Sequence, residues 1–179
     1  MADKCVICQI IEGEVPAKKI YEDDDIVAIL DFNGANPGHS FVIPKQHIPI
    51  LEQVPSHLIG KMFNIANKIS SAIFDTLKVQ GTNIFVANGV PAGQKVAHLM
   101  IHIIPRKEND GVNLQWAPKQ LSEEEMSTVE LKIKEEIGNV GFGESPKTAV
   151  SAQPKKAESI KKDVSGEESY LTKQLKRIP

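Results

Sequence analysis

His98-Leu99-Met100-Ile101-His102-Ile103-Ile104-Pro105-Arg106, entered through Ala92-Gly93-Gln94-Lys95-Val96-Ala97, is the stretch whose reading decides the fold. As a β-strand, its alternation puts His98, Met100 and His102 on one side and Leu99, Ile101 and Ile103 on the other, against a core. As a helix, it would set His98 and His102 at i and i+4 as a metal-binding pair. The run is short, rich in isoleucine and stopped by Pro105, which favours the strand. Two histidines flanking a methionine then make one polar, reactive face.

Upstream of this strand, Asn83 to Ala87 reads as another strand, and Asn88-Gly89-Val90-Pro91-Ala92-Gly93 as the turn between the two. Backbone N–H groups in such a glycine-rich loop can cradle a phosphate. Further back, Leu58, Met62, Ile65, Ile69, Ile73 and Leu77 recur every three or four residues, which predicts a long amphipathic helix over residues 55–78 covering one sheet face. Ile20-Tyr21 and Ile26 to Leu30 read as strands joined by Glu22-Asp23-Asp24-Asp25, and Ser40 to Ile43 as a third strand after a loop dense in turn formers. Asp31 stands at the strand end beside that loop. Downstream, Ser122-Glu123-Glu124-Glu125 is a capping box opening a second helix through Met126, Val129, Ile133 and Ile137 to Gly138. The fold class is therefore α+β, an antiparallel sheet that begins as a meander, with one long helix and a C-terminal helix.

The chain of 179 residues fits one domain of the usual ~100–150 residues and an appendage. We place the domain at 1–140 and a tail at 141–179. The tail holds eight basic and five acidic residues, leaving +3, so the first 140 residues carry −5 of the net −2. Its Ser, Pro, Lys and Glu content reads as flexible, with a possible docking segment for a protein partner at 170–179. A net charge of −2 gives no bulk argument for DNA or RNA binding. No apolar run approaches the ~18 residues of a membrane span, and the first residues show no signal-peptide pattern, so a cytoplasmic location is expected.

Only two cysteines occur, Cys5 and Cys8, in a C-x2-C arrangement. A redox pair of this kind usually opens a helix after a strand, and none precedes Cys5, so zinc is the better reading. A lone pair supplies half a tetrahedral site. The remaining ligands must be histidines or carboxylates far along the chain.

At this point the sequence resembles the histidine-triad (HIT) family of nucleotide-binding hydrolases and transferases. The resemblance rests on Cys5-Val6-Ile7-Cys8, Ile20-Tyr21-Glu22-Asp23, Asp31, Pro37-Gly38-His39, Ile43-Pro44-Lys45-Gln46-His47, Asn88-Gly89, Gly93-Gln94 with Val96 and His98, and Trp116. The family's last motif reads His-φ-His-φ-His-φ-φ, with φ apolar. Here it stands as His98-Leu99-Met100-Ile101-His102-Ile103-Ile104.

The resemblance implies a half-barrel sheet, a homodimer and a purine nucleotide bound beside the triad strand. It implies that Asp31 bonds the ribose hydroxyls, while Val6, Ile7, Ile29 and Phe32 wall the base. Asn88, Gly93, Gln94, Lys95 and His102 would surround the α-phosphate, Lys95 standing where a serine is common. Zinc-containing members use the positions of Cys5, Cys8, His47 and His98 as ligands to a structural zinc. The departure is Met100, in the place of the histidine nucleophile that attacks the α-phosphorus. A thioether has no titratable nitrogen and cannot replace it. Met100 is either an inactivating change in an ordinary hydrolase of nucleoside phosphoramidates or dinucleoside polyphosphates, or the native residue of a nucleotide-binding adaptor.

Overall fold

A computed structural model describes residues 5–140. The expected tail at 141–179, with its segment at 170–179, lies outside the described residues. Three helices, α1 (Val6–Glu12), α2 (Ser56–Leu77) and α3 (Glu123–Ile137), accompany five strands. The strands are β1 (Lys19–Glu22), β2 (Ile26–Leu30), β3 (Ser40–Pro44), β4 (Gly81–Val86) and β5 (Ile101–Arg106). They form one antiparallel sheet in the order β1-β2-β3-β5-β4. The first three strands are a meander. α2 then carries the chain across the sheet, so β4 forms an edge and β5 returns between β4 and β3.

Alternation along the strands sorts side chains to two faces. On one face Ile26 and Ala28 of β2, Val42 of β3, and Ile101 and Ile103 of β5 pack with Leu58, Met62, Ile65 and Ile73 of α2. On the other, Val27, Ile29 and Ile43 gather around Ile7 of α1, with Met100 at the margin. β2 is buried through four consecutive residues because both faces are covered. α1 stops at Gly13, whose φ of 83° is the left-handed conformation that ends helices.

The histidine strand starts later than the sequence predicts. His98 donates its backbone N–H to Val96 O at 2.8 Å in a tight turn, and Leu99 donates to Ile48 O, so sheet pairing begins only at Ile101. The predicted sidedness survives this turn: Leu99, Ile101 and Ile103 enter the core beneath α2. Pro105 lies inside β5 rather than stopping it. Its carbonyl accepts from Asn36 Nδ2 at 2.8 Å beyond the last β3 pairing, so its missing N–H costs the sheet no hydrogen bond.

The capping box forms as read: Ser122 Oγ accepts from Glu125 N, and Ser122 N donates to Glu125 Oε2 at 2.8 Å. The helix it opens buries no residue, leaving Met126, Val129, Ile133 and Ile137 exposed. No helix among the described residues is long and apolar enough to cross a membrane.

Candidate functional site

The two cysteines straddle the start of α1, which faces the far ends of β3 and the turn before β5. The ligand atoms of Cys5, Cys8, His47 and His98 lie within 4.8 Å of one another. Cys5 Sγ and Cys8 Sγ are each 3.7 Å from His98 Nδ1, and Cys8 Sγ is 3.3 Å from His47 Nδ1. Tetrahedral zinc with bonds of about 2.3 Å to sulfur and about 2.0 Å to nitrogen sets sulfur–nitrogen edges of about 3.5 Å. The spacing fits that geometry. His98 is fully buried, and its Nε2 donates to the Pro44 carbonyl at 2.9 Å. That bond leaves Nδ1 with its lone pair toward the thiols, as a metal-ligating histidine requires. Burial also lowers the pKa of His98, favouring the neutral ring.

Beside this cluster lies a cleft of about 470 Å³. Met100 and His102 share its wall with His98, so all three polar-face residues of the motif reach it. Asp31, Gly93, Gln94, Lys95 and Ile7 line it as well. Four residues expected at a nucleotide stand outside this lining. Ile29 is only 4% exposed because it packs against Ile7 and Ile43. Val6 and Phe32 turn outward, Phe32 being 72% exposed. The Asn88 amide is already engaged: its Oδ1 accepts from Leu51 N at 3.0 Å and its Nδ2 donates to Glu52 Oε1 at 2.7 Å.

His39, within Pro37-Gly38-His39, also lines the cleft, with no role readable from the sequence alone. Its Nδ1 accepts from Ala35 N at 3.1 Å, so in the neutral ring the proton sits on Nε2. That Nε2 is 3.3 Å from His102 Nδ1 and donates to it, which in turn places the His102 proton on Nε2. Among the described residues no acceptor takes that proton. Asp31 Oδ2 lies 3.5 Å from His39 Nδ1, behind the pair, while Asp31 Oδ1 accepts from Asn33 N. The signal for this line of groups was the pair of polar residues at the two ends of one loop, Asp31 and His39, joined by Asp31 N donating to His39 O at 2.9 Å.

His102 sits in an aromatic box. Cross-strand register puts it opposite both Phe41 and Phe85, with ring centroids 4.9 Å and 4.7 Å away. Burial and the neighbouring His39 push its pKa down to about 4, with Asp31 pulling upward and Lys95 adding a smaller downward push. His39 is lowered too, again chiefly by burial. The cleft therefore presents the Nε2–H of a neutral His102 as a donor, alongside the charged side chains of Asp31 and Lys95.

An open antiparallel sheet backed by one long helix, with a polar cleft at its central strand, is the setting in which the comparisons with known proteins fall. The HIT domain model matches residues 12–109, and the chain belongs to the HIT family. It is 44% identical over 121 residues to the Arabidopsis thaliana protein "Adenylylsulfatase HINT3", a match covering 68% of this chain and 60% of that protein's length. A solved HIT family member from Bacillus subtilis superposes with a TM-score of 0.70 at 34% identity, covering 74% of this chain and 96% of that one. A zinc-bound histidine triad family protein from Mycobacterium smegmatis does so with a TM-score of 0.59 at 31% identity, covering 76% and 97%.

Proposed function

We propose that the cleft beside β5 is a purine nucleotide site on a HIT hydrolase scaffold whose own turnover is abolished by Met100. Asp31 takes the ribose hydroxyls, while Gly93 and His102 hold the α-phosphate, with Gln94 and Lys95 beside it on the cleft lining. The scaffold's reaction is hydrolysis at that phosphate in nucleoside phosphoramidates, dinucleoside polyphosphates or, as the name of the Arabidopsis relative suggests, adenylyl sulfate. In it a histidine at position 100 would attack phosphorus, expel the leaving group and yield a nucleotidyl-histidine for water to hydrolyse. The observation that carries this reading is the position of Met100 on the cleft wall between His98 and His102, with donors and carboxylate still in place around it. His102 contributes its Nε2 proton to developing phosphate charge. Among the described residues no base takes that proton to make it a nucleophile in turn.

The test mixes the chain and its Met100→His variant with a dinucleoside polyphosphate and with an adenosine phosphoramidate, following AMP release. Turnover appears in Met100→His and is lower by several orders of magnitude in the chain as it stands. A silent Met100→His overturns the hydrolase reading, and an active parental chain overturns the inactivity.

The same Met100 favours a second reading, a nucleotide-binding adaptor acting through residues 141–179 as a tail to the domain at 1–140. It predicts nucleotide affinity without turnover even in Met100→His, and loss of a protein partner on deleting 141–179. In either reading Cys5, Cys8, His47 and His98 hold a structural zinc, since four protein ligands fill a tetrahedron and leave no open position. A reducing cytoplasm keeps both thiols available. The exposed apolar residues of α3 support a homodimer, for which sedimentation should give twice the chain mass.

A further inference from the structure

Lys95 lies on the boundary between two hollows. Beyond the cleft, a second depression of about 410 Å³ is bounded by Pro49, Ile50, Val90 and Ala97. It shares Gln94, Lys95 and Val96 with the cleft, so the two are contiguous across this segment. Lys95 is the one permanently charged cation in the lining of either. Among the described residues its ammonium has no ion pair or hydrogen bond, and the N–H groups of Lys95, Val96 and Ala97 donate to no protein acceptor. Gln94 cannot serve there: its Nε2 is held by the carbonyls of Pro49 and Val96, and its Oε1 by Gly89 N. A lone ammonium on a segment whose N–H groups find no acceptor among the described residues is able to bind an anion.

Resting on the nucleotide reading above, we propose that Lys95 determines specificity by recognising a second phosphate, attached to the α-phosphate and directed over the ridge into the neighbouring depression. The favoured ligand is a nucleoside 5′-diphosphate or the equivalent portion of a longer polyphosphate, not a monophosphate bearing an uncharged amine. Lys95 and His102 line the same cleft, so a ligand held at that imidazole lies in the hollow that Lys95 also borders. The Met100 thioether allows such a ligand to be weighed at equilibrium without cleavage.

The experiment is calorimetric titration of the full chain with AMP and with ADP, without divalent cations, repeated for Lys95→Met and Lys95→Arg. One added charge-assisted contact predicts ADP binding about tenfold tighter than AMP. Lys95→Met brings that ratio close to unity and Lys95→Arg retains it, a pattern that loss of folding would not produce. AMP binding without an ADP preference, or a preference that persists in Lys95→Met, overturns this inference alone. Failure to bind either nucleotide overturns the nucleotide reading and this inference together.

Discussion

Acidification should weaken the fold through one imidazole in particular. His102, boxed by Phe41 and Phe85, has its pKa pushed down to about 4 from an ordinary 6.5. A depressed folded-state pKa means that the unfolded chain takes up the proton first. Stability is therefore fully present above pH 6.5 and is lost as pH falls from there toward 4. Between about pH 7.5 and about pH 5 the linkage relation gives a loss of about 2 kcal/mol from this residue. The assay is urea denaturation at those two pH values for the parental chain and for His102→Asn. Subtracting the variant's pH response from the parent's removes the contribution of the Cys5-Cys8-His47-His98 cluster, which His102 does not touch. A parental chain that loses no more stability than His102→Asn over this interval would refute the assignment of a proton-resisting imidazole. The neighbouring His39, lowered in the same direction, adds to the slope without changing its sign.

Two further outcomes follow from geometry already given. Gly38 has a φ of 90°, so Gly38→Ala forces a left-handed backbone on an alanine, and its Cβ, 2.5 Å from Leu77 Cδ1, also makes that exposed leucine shift. It should lower unfolding free energy by about 2 kcal/mol in denaturant titration, and an unchanged midpoint would contradict the backbone strain. Cys5→Ser or His47→Ala should release the proposed zinc, read by elemental analysis of purified protein. With free zinc at about a thousand times its Kd, chelation should cost the parent about 4 kcal/mol and either variant much less.

Much of the fold was legible because its signals are local. The spacing of Leu58, Met62, Ile65, Ile69, Ile73 and Leu77 defines a helix face whatever lies opposite; Leu58, Met62, Ile65 and Ile73 are buried on the sheet-facing side of α2, Ile69 is half-buried, and Leu77, at the helix end, is exposed. Ser122 and Glu125 cap their helix through contacts three residues apart. The alternation of His98, Met100 and His102 was readable for the same reason, although a tight turn, not a strand, carries its first half. What sequence could not supply was long-range competition for polar groups. Asn88 resembles a phosphate ligand by position, yet Glu52 and the Leu51 amide, 36 and 37 residues away, occupy its amide. His39 gained its place only when β3 and β5 paired and set it against His102, a contact across 63 residues. The Cys5, Cys8, His47 and His98 set was named through family resemblance, and the geometry brings those four side chains together.

The insertion of β5 between β3 and β4 has a consequence for the order in which the protein comes into being. A growing chain that ends before Ile101 leaves the inner edge of β3 unpaired and lacks β4's partner as well. Cys5 and Cys8 emerge early, but His98 follows them by 93 and 90 residues. Such non-local closure is slow, because loop entropy is lost before contacts compensate for it. The thiols thus wait for at least 90 residues of synthesis before the cluster they share with His98 can be complete. Their cluster can close, and the cleft beside it can take shape, only when the last strand has slotted into the middle of the sheet, so metal retention would serve as a timestamp of finished folding.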